Sequence, residues 1–140
     1  MDYGITIRTR IPFAEAVARV REALKTQGFG VLTEIDVQAT LRDKLGQDME
    51  DYLILGACNP SLAHRAINVN RQIGLLLPCN VVVRADPHDD KSVIIEAMNP
   101  QMLVDVTGEP RLEQVAHEVT DKLQAAIDSL NTAPSATPAT

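Results

Sequence analysis

Tyr3, Ile5 and Ile7 alternate with Gly4, Thr6 and Arg8, a spacing that predicts a half-buried strand. Pro12 suits the first turn of a helix, where its missing N–H costs nothing. From there Phe13, Val17, Val20 and Leu24 recur at helical spacing, and Glu15 and Arg19 lie one turn apart on the other side, within reach of each other. Gly28, with Gly30 just beyond, ends that helix. Val31 to Asp36 reads as a second strand with Glu34 and Asp36 on one side. Asp36 can also cap a short helix from Val37 to Leu45, stopped by Gly46.

Asp51 to Cys58 is apolar enough for a central strand, and Asn59-Pro60 breaks it to start a helix carrying Leu62, Ala66, Ile67 and Val69. Ile73 to Pro78 is an apolar connection, because Pro78 argues against an uninterrupted central strand. Cys79 to Ala85 and Ser92 to Ala97 form a hairpin about Asp86-Pro87-His88-Asp89-Asp90, and Asn99-Pro100 ends it. Pro110 opens the last helix, with Leu112, Val115, Val119, Leu123, Ile127 and Leu130 as its stripe. Residues 131–140, rich in Ala, Pro, Ser and Thr, have no periodicity and read as a disordered tail. The expected architecture is one α+β domain over residues 1–130. Its mostly antiparallel, curved sheet has about five strands, two long helices pack on one face, and two short helices sit in the connections.

Composition narrows the function classes. Of the 140 residues 45% are hydrophobic and 23% charged, and the net charge is −6, a balance that repels nucleic acid. Arg8, Arg10, Arg19, Arg21 and Lys25 cluster near the start. Glu15 and Glu22 interrupt them and aromatic stacking partners are absent nearby, so they read as a solvated face rather than an RNA site. The apolar stretches fall short of the about 20 residues a bilayer demands, and no polybasic run suits a membrane surface. The opening Met1-Asp2-Tyr3-Gly4 lacks the basic and apolar regions of a signal peptide. The expected address is cytoplasmic, where Cys58 and Cys79 would be thiols unless redox chemistry is their purpose.

Those two thiols are the first candidate site. Each is followed by Asn, in Gly56-Ala57-Cys58-Asn59-Pro60 and Leu77-Pro78-Cys79-Asn80, and each adjoins a Pro-marked break. If their strands are neighbours, both thiols lie at one edge of the sheet, and His64 could approach from the following helix. Cys58, His64 and Cys79 could then hold a soft metal, or the thiols could cycle between dithiol and disulfide. Equally, both cysteines could be small buried hydrophobes, since neither has C-x-x-C spacing. Asn59 and Asn80 either tie down their loops or present a donor and an acceptor to a ligand. Glu34 and Asp36, with Lys44 on the next helix, form an acidic candidate for acid/base work; a capped helix with a surface salt bridge accounts for them as well. His88 and His117 read as solvated. No nucleophile elbow, P-loop, dinucleotide fingerprint or zincin motif occurs, so whether the chain is an enzyme is left open and no cofactor is indicated.

Gly28-Phe29-Gly30-Val31, Glu34-Ile35-Asp36, Gly56-Ala57-Cys58-Asn59-Pro60 and Leu75-Leu76-Leu77-Pro78-Cys79-Asn80-Val81 together resemble the domain of unknown function 302 family, in the family's order and from about Tyr3 to Leu130. The resemblance implies a β-α-β(4)-α core of the broad TATA-binding-protein-like class, often homodimeric. The family's motif positions are matched at Glu34, Asp36, Lys44, Cys58, Asn59, Cys79 and Asn80, which the resemblance makes candidate ligand-binding residues. From residues and resemblance combined, the expected function is a small-ligand-binding or sensory domain with a pocket near the Cys-Asn segments. The alternative is a thiol-dependent redox, sulfur-handling or soft-metal-binding protein.

Overall fold

The computed structural model describes residues 3–131. The tail predicted for residues 131–140 therefore lies outside the described residues, apart from Asn131, which is still helical. Five strands form one sheet: β1 (Gly4–Thr9), β2 (Gly30–Asp36), β3 (Tyr52–Cys58), β4 (Cys79–Asp86) and β5 (Asp89–Met98). Their spatial order is β1-β5-β4-β3-β2, and every neighbouring pair is antiparallel. Consecutive strands β2 to β5 form a meander, and β1 returns to the far edge beside β5. This is the α+β sheet that the pattern of strands and helices predicts.

Period-two alternation decides which face is buried. Leu53, Leu55 and Ala57 of β3, Val81 and Val83 of β4, and Val93, Ile95 and Ala97 of β5 all point into the core. Helices α1 (Phe13–Thr26) and α5 (Glu113–Asn131) close over that face and contact each other. Ala16, Val20 and Leu24 of α1 and Val115, Val119, Leu123 and Ile127 of α5 are buried, while Phe13 and Val17 pack at the core's rim. The two long helices on one face thus follow from the two apolar stripes.

Shorter helices fill the connections: α2 (Val37–Leu45), α3 (Pro60–Val69) and α4 (Gln101–Thr107). Asp36 caps α2 by accepting the Ala39 N–H at 2.9 Å, and Gly46, with φ 66°, ends it. The apolar connection before Pro78 is a 3₁₀ turn, Arg71–Leu76, that buries Ile73. No periodicity marks α4 in the sequence; its single buried residue, Leu103, makes too short a stripe to register as a period. Among the described residues, no helix is long and apolar enough to cross a membrane.

Candidate functional site

The antiparallel pairing of β3 with β4 sets Ala57 opposite Cys79, and Cys58, the next and last residue of β3, lies with Cys79 around the space where the two strands end. Beneath them lies a small cavity of about 30 Å³, enough for about one water molecule. Its roof is Ala57, Cys58, Asn59, Leu77, Pro78 and Cys79 from the strand ends. Leu62, Ala63 and Ala66 of α3 form one wall, and Val115 and Val119 of α5 the opposite one. Phe29 and Leu103 complete the lining. Apart from the two sulfurs and the Asn59 amide, these side chains are hydrocarbon. Such a lining favours apolar guests.

The local sequence explains the geometry. Asn59 is the N-cap of α3: its Oδ1 accepts the Leu62 N–H at 3.4 Å, and Pro60 starts the first turn. Its Nδ2 lies so close to Gly28 that a Cβ there would meet it at 3.2 Å. Gly28 has φ +86°, a conformation that favours glycine, and this turn delivers Phe29 to the cavity. Gly56 is held by contact rather than by dihedral angle. A Cβ there would collide with Thr33 Oγ1 and sit 2.9 Å from Pro78 Cγ. The Leu77–Pro78 bond is cis.

The two thiols differ. Cys58 is half-buried, whereas Cys79 is buried. Burial first, and the neighbouring Cys58 second, push the Cys79 thiol from 9.0 to about 11. Cys79 is therefore protonated at neutral pH, and only Cys58 is open to solvent. Across the cavity walls, Arg65 of α3 donates two hydrogen bonds to Glu118 of α5, at 3.0 and 2.7 Å. That pair links the two helices at the surface, beside the cavity-lining Ala66 and Val119. The Arg65 hydrogen bonds hold the Glu118 carboxyl below its usual range, with Lys122 and His117 adding to the effect.

Of the residues singled out in the sequence, the fold unites Cys58, Asn59 and Cys79 at this cavity and takes the others elsewhere. Asn80 is exposed on the opposite face of the sheet, beside Tyr52, Val82 and Arg84. Glu34 and Asp36 share a strand side, as their spacing predicts, across from Leu55 and Leu53. Glu34 is ion-paired with Arg21 of α1 and Asp36 is spent as a helix cap. The surface salt bridge thus runs to Arg21 rather than to Lys44, which is exposed near the end of α2. His64 sits 3.4 Å from Asn68 and does not line the cavity. Among the described residues, no group of three or more His, Cys, Asp or Glu side chains could hold a metal ion. The set Cys58, His64 and Cys79 is therefore not assembled, because the helical turn of α3 carries His64 onto its solvent side.

His88 and His117 are exposed, as expected, with His117 3.5 Å from Asp121. The arginines near the N-terminus are each ion-paired: Arg8 with Asp86, Arg10 with Asp89, Arg19 with Glu15 and Arg21 with Glu34. Phe29, Leu62, Ala63, Val115 and Val119 escaped the sequence reading as site residues. Helical periodicity marks them as inward-facing but cannot tell a cavity wall from a filled core.

The model of a domain of unknown function, DUF302, matches residues 5–130. The chain belongs to the DUF302 family. Its sheet and helices superpose with a TM-score of 0.83 on the crystal structure of an uncharacterised conserved DUF302 protein from Bacillus stearothermophilus. The two are 32% identical, over 91% of this chain and 98% of that one. No curated protein matches. The DUF302 match begins in β1 and closes at Leu130 near the end of α5, so it embraces the sheet, both long helices and the thiol-lined cavity.

Proposed function

We propose that this DUF302 chain is a cytoplasmic, homodimeric small-ligand-binding or sensory domain. Its ligand is a small, largely apolar molecule seated against Cys58 and Cys79. The observation that carries the reading is the hydrocarbon cavity at the strand ends, whose only polar or sulfur groups are the two thiols and the Asn59 amide. At about 30 Å³ it takes a guest of a few atoms without rearrangement. Two free cysteines suit a reducing compartment.

The test uses xenon, which enters dry apolar cavities. Under xenon pressure, the methyl resonances of Leu62, Ala63, Ala66 and Val119 should shift saturably in a ¹H–¹³C spectrum of the full chain. Ala66→Leu, which fills the space, should abolish the response. Linear shifts spread over the whole core, or a response surviving Ala66→Leu, would remove the cavity as a binding site.

A second reading rests on Cys58 and Cys79 both lining the cavity where β3 and β4 end, near enough for Cys58 to help raise the Cys79 thiol pKa. With glutathione disulfide as oxidant, the Cys58 thiolate would displace one glutathione to give a mixed disulfide. Cys79 would then displace the second, leaving a Cys58–Cys79 bond and two molecules of glutathione. The raised Cys79 pKa assigns the first attack to Cys58. Mass spectrometry should detect a loss of two hydrogens, mapped to a peptide joining both cysteines and reversed by dithiothreitol. Persistence of two free thiols, or a glutathione adduct that stays on Cys58, would exclude this chemistry.

A further inference from the structure

The cavity at the strand ends has room for about one more atom beside Cys58. Its volume is about 30 Å³, which suits about one water-sized group. A single sulfur atom bonded to the Cys58 thiol would stand about 2 Å beyond it, a step that such a space accepts. Cys58 is half-buried at the end of β3, so it can meet a reagent from solvent while it borders the cavity.

The lining suits such a sulfur. Leu62, Ala63, Ala66 and Val119 present hydrocarbon, and a terminal sulfur is large, polarisable and weakly hydrated. Asn59 supplies the one amide. Its Oδ1 is committed to the Leu62 N–H at 3.4 Å, so the donor end, Nδ2, is what remains for a bound group. Neither lysine nor arginine lines the cavity, so nothing there selects a phosphate or a carboxylate. A sulfur held among these side chains is also kept from water and from stray thiols, which would otherwise strip it.

We propose that Cys58 is a sulfane-sulfur carrier: it takes the outer sulfur of a low-molecular-weight persulfide and holds it, as a Cys58 persulfide, in the cavity between α3 and α5. The Cys58 thiolate attacks the outer sulfur of the donor R–S–SH. The donor's S–S bond breaks, its electron pair leaves with R–S⁻, and Cys58–S–SH forms with the donor's proton. No oxidant is consumed, because the sulfane sulfur only changes partner. An acceptor thiolate that attacks this outer sulfur takes it in turn and restores the Cys58 thiolate. Attack by Cys79 on the inner sulfur would instead close a Cys58–Cys79 disulfide and expel HS⁻. Burial holds the Cys79 thiol protonated, with its pKa pushed up to about 11, which slows that loss. The carrier role rests on the thiol-dependent reading, in which Cys58 makes the first attack, and names its substrate.

The experiment incubates the reduced full chain with glutathione persulfide, removes the reagent, and alkylates with iodoacetamide before mass spectrometry. The Cys58 peptide should gain about 32 Da, one sulfur atom, over its alkylated thiol, in wild type and in Cys79→Ala alike. Native wild type should keep this sulfur against added cysteine about ten-fold longer, or more, than the urea-unfolded chain. Ala63→Val narrows the cavity from a partly exposed position, and circular dichroism verifies its fold. It should leave the alkylation rate of the Cys58 thiol unchanged and shorten the life of the persulfide. A persulfide as short-lived in the native chain as in urea, or unaffected by Ala63→Val, would overturn the carrier. So would glutathione on Cys58 in place of the single sulfur, or prompt release of sulfide from wild type but not from Cys79→Ala. In those last two cases Cys58 still attacks and the thiol-dependent reading stands. A Cys58 inert to both glutathione persulfide and glutathione disulfide would remove the two together.

Discussion

Gly56→Ala should lower the stability of the DUF302 chain by about 1–3 kcal/mol, the usual cost of forcing a methyl group into a filled space. Gly56 is buried on the outer side of β3, where Thr33 of β2 leans across it and the Pro78 ring abuts it. A methyl there collides with Thr33 Oγ1 and comes within 2.9 Å of Pro78 Cγ. Thr33 is β-branched and stiff, and Pro78 is a ring, so neither yields cheaply. Urea denaturation of the purified variant measures the loss. Thr33→Ala in the same chain should restore part of it, because the two sites are in contact and their effects are coupled. An unchanged midpoint for Gly56→Ala, or full additivity of the two substitutions, would show that Thr33 does not hold this position.

Alkaline pH should destabilise the native state through Cys79, and the effect should vanish in Cys79→Ala. The thiol ionises near 9.0 in an exposed setting but only at about 11 in the fold. Below the first value both states hold the proton and the full stability is present. Between the two values the unfolded chain releases its proton while the native state cannot, so stability falls as pH rises. The loss is complete once the pH passes about 11, and two pKa units correspond to about 2–3 kcal/mol. The measurement is the difference in unfolding free energy between wild type and Cys79→Ala at a series of pH values from 7 upward to about 11. That difference should shrink across the interval as the wild type alone weakens. A difference independent of pH would mean that Cys79 is hydrated in the fold, which would undercut the dry cavity as well.

Both effects concern the same few residues, where Gly28, Phe29, Gly56, Cys58, Asn59, Pro78 and Cys79 converge. Several of the motif residues have a structural task there. Gly28 adopts a turn that other residues resist, Gly56 admits Thr33, and Asn59 caps α3. What these tasks leave free is the cavity lining itself, with half-buried Cys58 as the thiol nearer to solvent.

How much of this was legible follows from the range of each interaction. Strands, the two long helices, the Asp36 cap and the Gly46 stop depend on residues at most a few positions apart, and all of them were readable. The sheet-facing stripes of α1 and α5 were equally readable, because burial imposes one period on each. Helix α4 was not, since seven residues with one buried leucine carry no period.

The sequence by itself determined the α+β class, the long helices on one face, and the two thiols at strand ends. It also raised the acidic pair, Lys44 and His64 as possible members of that site. Only the tertiary structure decided who meets whom. Register between β3 and β4 set Ala57 opposite Cys79 and sent Asn80 to the other face because adjacent residues of a strand point apart, while the end of β3 before the Asn59 cap brought Cys58 to the same cavity. Packing of α1 beside β2 gave Glu34 to Arg21 and left Lys44 in solvent. The approach of α3 to α5 made a cavity from residues that the sequence marks only as inward. These are contacts between distant segments, set by which apolar surfaces bury each other, and no local spacing encodes them.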